Sequence, residues 1–362
     1  MRRFFALFLF LTLLSACAAP ADPDGARESI QVIAMDTAML ITTYGENSVT
    51  AAYAAEDCIR DLDAKLSRTN PDSEVSRLNA SNGEPVEVGL DLEILLELAH
   101  SYRFFTGGAL NIAVAPIVSA WGFTTDSFQV PSQSELDALL ELAQDGPHYI
   151  GPISPGGADC WSLEPGQAID LGALAKGYAA GKLVEIFREN ELPRAMASLG
   201  GNVLAYGDRP DGTPWRVGIQ DPKKPDDQNA FVGVLNLTDS FAVTSGGYQR
   251  YFEQDGKRYH HIIDPATGYP ADSGLTSVTV VAGLGDEDLC NGVTCDAYST
   301  ALFIMGEEEA LAFHRGETQW GEEGCLFEVV LVTEDGRVVV TEGLADRFTF
   351  DEDSGYAYEV VS

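Results

Sequence analysis

Hydrophobic and polar positions change period repeatedly along the chain, and those changes mark out its elements. Residues 30–43 alternate with the two-residue period of a half-buried strand. From Asn47 to Lys65 the period lengthens, placing Ala51, Ala54, Ala55, Cys58, Ile59 and Leu62 on one helical face. A turn-rich stretch over 67–79 follows, and a second helix fits Asp91 to Thr106. Residues 124–165 are rich in Ser, Gly, Pro and acids and read as a surface excursion around one helix, Ser134 to Ala143. A helix over about 171–190 stops before Pro193. Short strands come next at 195–199, 203–206, 215–222, 232–237 and 240–244. Asp255-Gly256 is a hairpin turn joining Tyr248–Gln254 to Lys257–Ile263. A strand at Thr276 to Ala282, a helix at Asp296 to Met305 and a hairpin over 326–341 complete the pattern. Strands and helices mix without a βαβ rhythm, so the predicted class is α+β, with mixed or antiparallel sheets and packed helices.

Composition refines the picture at the N-terminus. Arg2 and Arg3 precede an apolar run from Phe4 to Leu14 that is too short to span a bilayer comfortably. Leu14-Ser15-Ala16-Cys17 resembles the bacterial lipobox, which implies cleavage before Cys17 and a lipid on its thiol; an ordinary secretory peptide cut nearby is the alternative. The expected organisation is a signal peptide at 1–16, a tether at 17–29, one domain at 30–345 and a C-terminal tail at 346–362. The expected location is extracytoplasmic, anchored to the bacterial cell membrane through Cys17 on the periplasmic side. The 362 residues, 45% of them hydrophobic, suffice for one large core or two modest ones.

The formal charge of −34 excludes nucleic acid and anionic headgroups as partners, and an anionic substrate needs basic groups or a cation inside its site. Six cysteines show no zinc-like spacing; outside the cytoplasm a disulfide is permitted, with Cys290 and Cys295 the nearest pair in sequence.

Three stretches carry candidate chemistry. In Asp170-Leu171-Gly172-Ala173-Leu174-Ala175-Lys176-Gly177 an acid stands where a helix begins, small residues keep its first turns thin, and Lys176 can reach back over the opening. A capped core helix explains the same residues. In the second stretch, Tyr259 to Pro270, Tyr259, His261 and Ile263 share one face of a strand and His260 and Ile262 take the other. A strand-end histidine held by backbone hydrogen bonds is the plain alternative. In the third, Asp296 and Thr300 lie four apart on one helical face, and a carboxylate beside a hydroxyl suits a hard divalent ion such as Mg2+. By spacing alone, an N-cap aspartate with an ordinary helical threonine accounts for that pair more readily.

Together with Gly200-Gly201-Asn202, Trp215 to Pro222 and Thr244-Ser245-Gly246-Gly247-Tyr248, these stretches resemble, in order, the ApbE family of flavin transferases. The resemblance covers about 30–345 and implies Mg2+-dependent transfer of FMN from FAD to a threonine hydroxyl of a client redox protein, with AMP released. It implies a metal at Ala173, Asp296 and Thr300, and flavin-nucleotide contacts at Met39, Ala113, Val114, Ala115, Asp170, Lys176 and Ile263. His261 matches the family histidine, and either it or a carboxylate near the metal, Asp296, takes the proton of the incoming hydroxyl; His261 orienting the client or the nucleotide is the alternative. Ile112-Ala113 and Ser119-Ala120 depart from the family pattern in the region of the adenine and ribose contacts. Two other functions fit the same motifs: a lipid-tethered FAD-binding protein, and a pyrophosphatase cleaving FAD to FMN and AMP.

Overall fold

The computed structural model describes residues 26–125, 127–285, 288–318 and 327–362. The signal segment, Cys17 and Cys325 lie outside the described residues. A nine-stranded sheet forms the centre, with strands β1 (Arg27–Ala34), β2 (Thr37–Tyr44), β3 (Arg194–Ser198), β4 (Asn202–Tyr206), β5 (Ser240–Gly246), β6 (Leu275–Gly283), β7 (Phe327–Thr333), β8 (Arg337–Thr341) and β9 (Ala357–Val361). They lie side by side in chain order, every neighbour antiparallel except β8 and β9, which run parallel.

Both faces of the sheet are covered, and the two-residue period of its strands sorts their side chains between two cores. On β7, Val329 and Leu331 join the larger core while Val330 and Val332 join the smaller. The larger core packs helices α1 (Ser48–Leu66), α2 (Leu90–Phe105), α3 (Ala175–Glu189) and α4 (Asp288–Met305) onto one face. The smaller packs a three-stranded sheet of Trp215–Gln220, Phe231–Leu237 and Phe348–Phe350 onto the other. Each large side chain fully removed from water there contributes roughly 1.5–3 kcal/mol. A third cluster, including Trp121, Phe123, Leu136 and Ile263, packs against rings from the hairpin Tyr251–Gln254/Lys257–His260. Among the described residues no helix is long and apolar enough to cross a membrane.

The α+β expectation agrees with this architecture, and several boundaries differ. Residues 30–43 are two paired strands, because Met35 and Asp36 adopt positive φ (48° and 59°) and reverse the chain without a glycine. Arg27 to Ser29, expected in the tether, already belong to β1. Residues 346–362 are no loose tail: Phe348–Phe350 extends the small sheet and β9 pairs along β8. The helix expected from Asp296 begins at Asp288. Cys290 and Cys295 are not bonded to each other; five residues apart on α4, they point to different sides of the helix.

Candidate active site

The site begins with the contact between α3 and α4. At Gly177 an added Cβ would run into the Gly292 carbonyl and come within 2.8 Å of Asp296 Cβ; at Gly181 it would lie 2.7 Å from Leu289 Cα. The two helices thus touch at backbone distance, which only glycine permits at these points. This approach lets Asp296, buried at 3% exposure, receive the Gly177 amide on Oδ2 at 2.8 Å. In a regular helix that amide would bond to the Ala173 carbonyl four residues earlier. Ala173 lies just before the helix, so Gly177 is one of the helix's first-turn amides and Asp296 is the acceptor that satisfies it.

The same bond corrects the expected start of the organising helix. Leu171 to Leu174 form a turn, the helix starts at Ala175, and its first-turn amide is satisfied by Asp296 rather than by Asp170. Asp170 instead receives the Gly172 amide at 2.8 Å and pairs with Arg68 at 3.2 Å. Its own amide donates to the Ile112 carbonyl at 2.8 Å, so it ties three segments to the wall of the cleft. Lys176 Nζ donates back to the Gly172 carbonyl at 3.0 Å, the reach over the opening read from the sequence.

These groups border a cleft of about 750 Å³. Ala173, Asp296 and Thr300 all line it, as do Asp170, Lys176, His261, Ile263 and Val114. Ala113 does not: it is buried at 1% exposure in the 3-10 turn Ile112–Val114. Ala115 lines an adjoining cavity of about 680 Å³ that shares Arg68, Thr69 and Thr124 with the cleft. Met39 is also absent from the wall. On β2 its side chain alternates inward with Ile41 into the large core, and the β1–β2 turn residues Met35, Asp36 and Thr37 border the cleft instead.

His260 and His261 show how one residue of register separates structure from chemistry. His260 Nδ1 accepts the Ile262 amide at 3.3 Å and Nε2 donates to the Ala271 carbonyl at 3.0 Å, so both ring nitrogens are engaged. On the opposite face His261 lines the cleft, its Nδ1 3.2 Å from the Arg250 carbonyl. A carbonyl only accepts, so Nδ1 carries the proton and the Nε2 lone pair stays available. Burial pushes His261 down to about 4, with the Arg250 carbonyl bond opposing the shift, and the ring is neutral at physiological pH. Arg250 donates from its guanidinium to the Phe123 carbonyl and lines the same cleft. Arg68 and Arg250 were not singled out by sequence reasoning, since lone arginines carry no spacing signal, and Ser245 entered only as part of the Thr244-to-Tyr248 stretch; distant segments bring all three here.

Carboxylate and hydroxyl oxygens at a helix crossing, basic side chains and a neutral histidine in one cleft are the equipment of a group-transfer enzyme, and comparison with known proteins agrees on the class: a transferase. Residues 35–321 match the ApbE family, and the chain belongs to it. It is 30% identical to a FAD:protein FMN transferase of Klebsiella pneumoniae, over 91% of this chain and 96% of that protein. To the FAD:protein FMN transferase of Treponema pallidum it is 33% identical, over 87% of each. Its fold matches the ApbE protein of Thermotoga maritima with a TM-score of 0.76 at 28% identity, covering 89% of this chain and 99% of that one. The flavin transferase ApbE of Vibrio cholerae superposes with a TM-score of 0.72 at 26% identity, again over 89% and 99%.

Proposed function

We propose that the protein transfers FMN from FAD to a threonine hydroxyl of a client redox protein, releasing AMP, with Mg2+ held in the cleft. The observation that carries this reading is the convergence of Ala173, Asp296 and Thr300 with His261 and Lys176 in one cleft of a chain related to FAD:protein FMN transferases. The donor set suits a hard cation: the Asp296 carboxylate, the Thr300 hydroxyl and the main-chain carbonyl of Ala173, which lies in the turn before α3. Among the described residues no three His, Cys, Asp or Glu side chains gather into a group that could hold a metal. When bound, Mg2+ neutralises charge on the nonbridging oxygens of a diphosphate and on the departing phosphate.

The protein's own groups do the rest. Arg68, Lys176 and Arg250 supply positive charge at the cleft of a chain that carries −34 overall, which allows an anionic dinucleotide to enter. His261, neutral and with Nε2 open, accepts the proton of the attacking hydroxyl. Leu14-Ser15-Ala16-Cys17 supports lipidation at Cys17 and attachment to the cell membrane on its extracytoplasmic side.

The test mixes the mature protein with FAD and Mg2+, with and without a threonine-bearing client. Fluorescent client together with AMP is the expected result. AMP and FMN formed without client would make water the acceptor, and no product at all would leave a flavin-binding protein.

A further inference from the structure

Thr300 offers an oxygen that is useful to a cation only if its proton points elsewhere. A hydroxyl has one proton and two lone pairs, and a proton aimed at a metal ion repels it. Three hydroxyls, those of Thr300, Ser245 and Ser299, decide the matter. Ser299, fully buried, lies with Oγ 2.9 Å from the Asp296 carbonyl oxygen, which can only accept, so the single Ser299 proton is committed there. Ser245 Oγ is 2.8 Å from Ser299 Oγ and must be the donor in that pair. Thr300 Oγ1 lies 3.2 Å from Ser245 Oγ, whose proton is already used, so Thr300 donates to Ser245. The protons run one way, from Thr300 through Ser245 and Ser299 to the main chain of α4.

We infer that Ser245 and Ser299 are positioning residues that turn the Thr300 proton away from the cleft and present its lone pairs to a divalent cation. The inference rests on the metal reading proposed above. It gives the Thr244-Ser245-Gly246 stretch at the end of β5 a chemical role, since Ser245 links the sheet to the face of α4 that carries Asp296 and Thr300. Groups that orient metal ligands from behind typically change affinity about 10- to 100-fold when removed.

The two serines give a test that separates orientation from direct ligation. Mn2+ binding is followed by its paramagnetic resonance signal, with and without AMP, in the wild type and in Asp296→Ala, Ser245→Ala, Ser245→Thr and Ser299→Ala. Loss of binding in Asp296→Ala, a drop of about tenfold in Ser245→Ala and near-normal affinity in Ser245→Thr are expected. Ser299→Ala decides the case, because it keeps both Ser245 and Thr300 hydroxyls but frees the Ser245 proton to turn onto Thr300. A drop of similar size there supports the relay, and unchanged affinity overturns it in favour of Ser245 as a direct ligand. In turnover the same serine variants should raise KM for Mg2+ while kcat recovers at saturating Mg2+; a fall in kcat that Mg2+ does not restore would count against an orienting role. A wild type that binds no Mn2+ sinks the metal reading itself, whereas loss in Asp296→Ala with no change in either serine variant sinks this inference alone.

Discussion

Where α3 crosses α4, the wall of the cleft is made at backbone distance, through glycines at 177, 181 and 292. Across the cleft, the hairpin leading to His261 is held by rings: Phe252 stacks on Phe128 and on Tyr259 at 5.2 and 5.3 Å between centroids, and Trp121 packs against Tyr259 at 5.2 Å. The first wall has no slack, since its atoms are main chain and each extra methyl meets a carbonyl or another helix. The second is made of side chains, some still touching water, that can adjust by small rotations. The difference maps onto chemistry. The cation site proposed above demands fixed oxygens, and its candidate donors Asp296 and Thr300 sit on the unyielding wall. His261, the proton acceptor proposed above, sits on the more compliant wall, where burial lowers its pKa and one main-chain carbonyl sets its tautomer.

Four changes break or sharpen that contrast. Asp296→Ala removes both the carboxylate and the acceptor for the Gly177 amide, and AMP formation should fall by about 10^3-fold or more; Mg2+-dependent turnover near wild type would refute the assignment. His261→Ala should slow transfer by about 10^2-fold while FAD binding, measured by flavin fluorescence, stays intact. A parallel loss of nucleotide affinity would make His261 a binding residue. Gly292→Ala should cost about 3 kcal/mol, because its Cβ would strike the Gly177 carbonyl, whereas Phe252→Leu on the compliant wall should cost about 1 kcal/mol; the two melting temperatures decide. Equal losses would erase the distinction between the walls.

The remaining prediction concerns pH. His261 in the folded protein holds its proton less tightly than in the unfolded chain, with a value of about 4 against an ordinary 6.5. Between those two values the unfolded state binds more protons, so its contribution to stability declines as pH falls from 6.5 to about 4 and is complete above 6.5. The acid limb of kcat/KM should correspondingly lie near pH 4, and a limb at pH 6.5 would place the catalytic proton on another group.

The long periodic elements were legible in the sequence because burial on one face writes itself into spacing: α1 and α2 fall within a residue or two of their expected bounds. What stayed hidden depended on distant partners. Nothing near Asp170 reveals that the helix after it is capped by Asp296, since the capping acceptor arrives with another helix, 119 residues beyond the amide it receives. The β1–β2 turn lacks Gly and Asn and has only Asp36 as a turn-favouring residue, so the reversal that carries Met35 to Thr37 into the cleft, and Met39 into the core, has a weak local signature. β9 lies behind a run of acidic residues and is short, and its place is fixed by pairing with β8 rather than by its own pattern. For the histidines the alternation in Tyr259 to Ile263 was enough, because two-residue periodicity alone assigns them to opposite faces.

Strand order in the large sheet has a bearing on biosynthesis. Because neighbours in the sheet follow one another along the chain, a strand leaving the ribosome can pair with one already made, and the sheet can grow from its N-terminal edge. The reactive pocket cannot, since Asp296 and Thr300 emerge long after the turn at Met35 that they face. A truncated product ending just short of residue 296 would keep β1 to β6 and most of the cleft lining yet lack both Asp296 and Thr300.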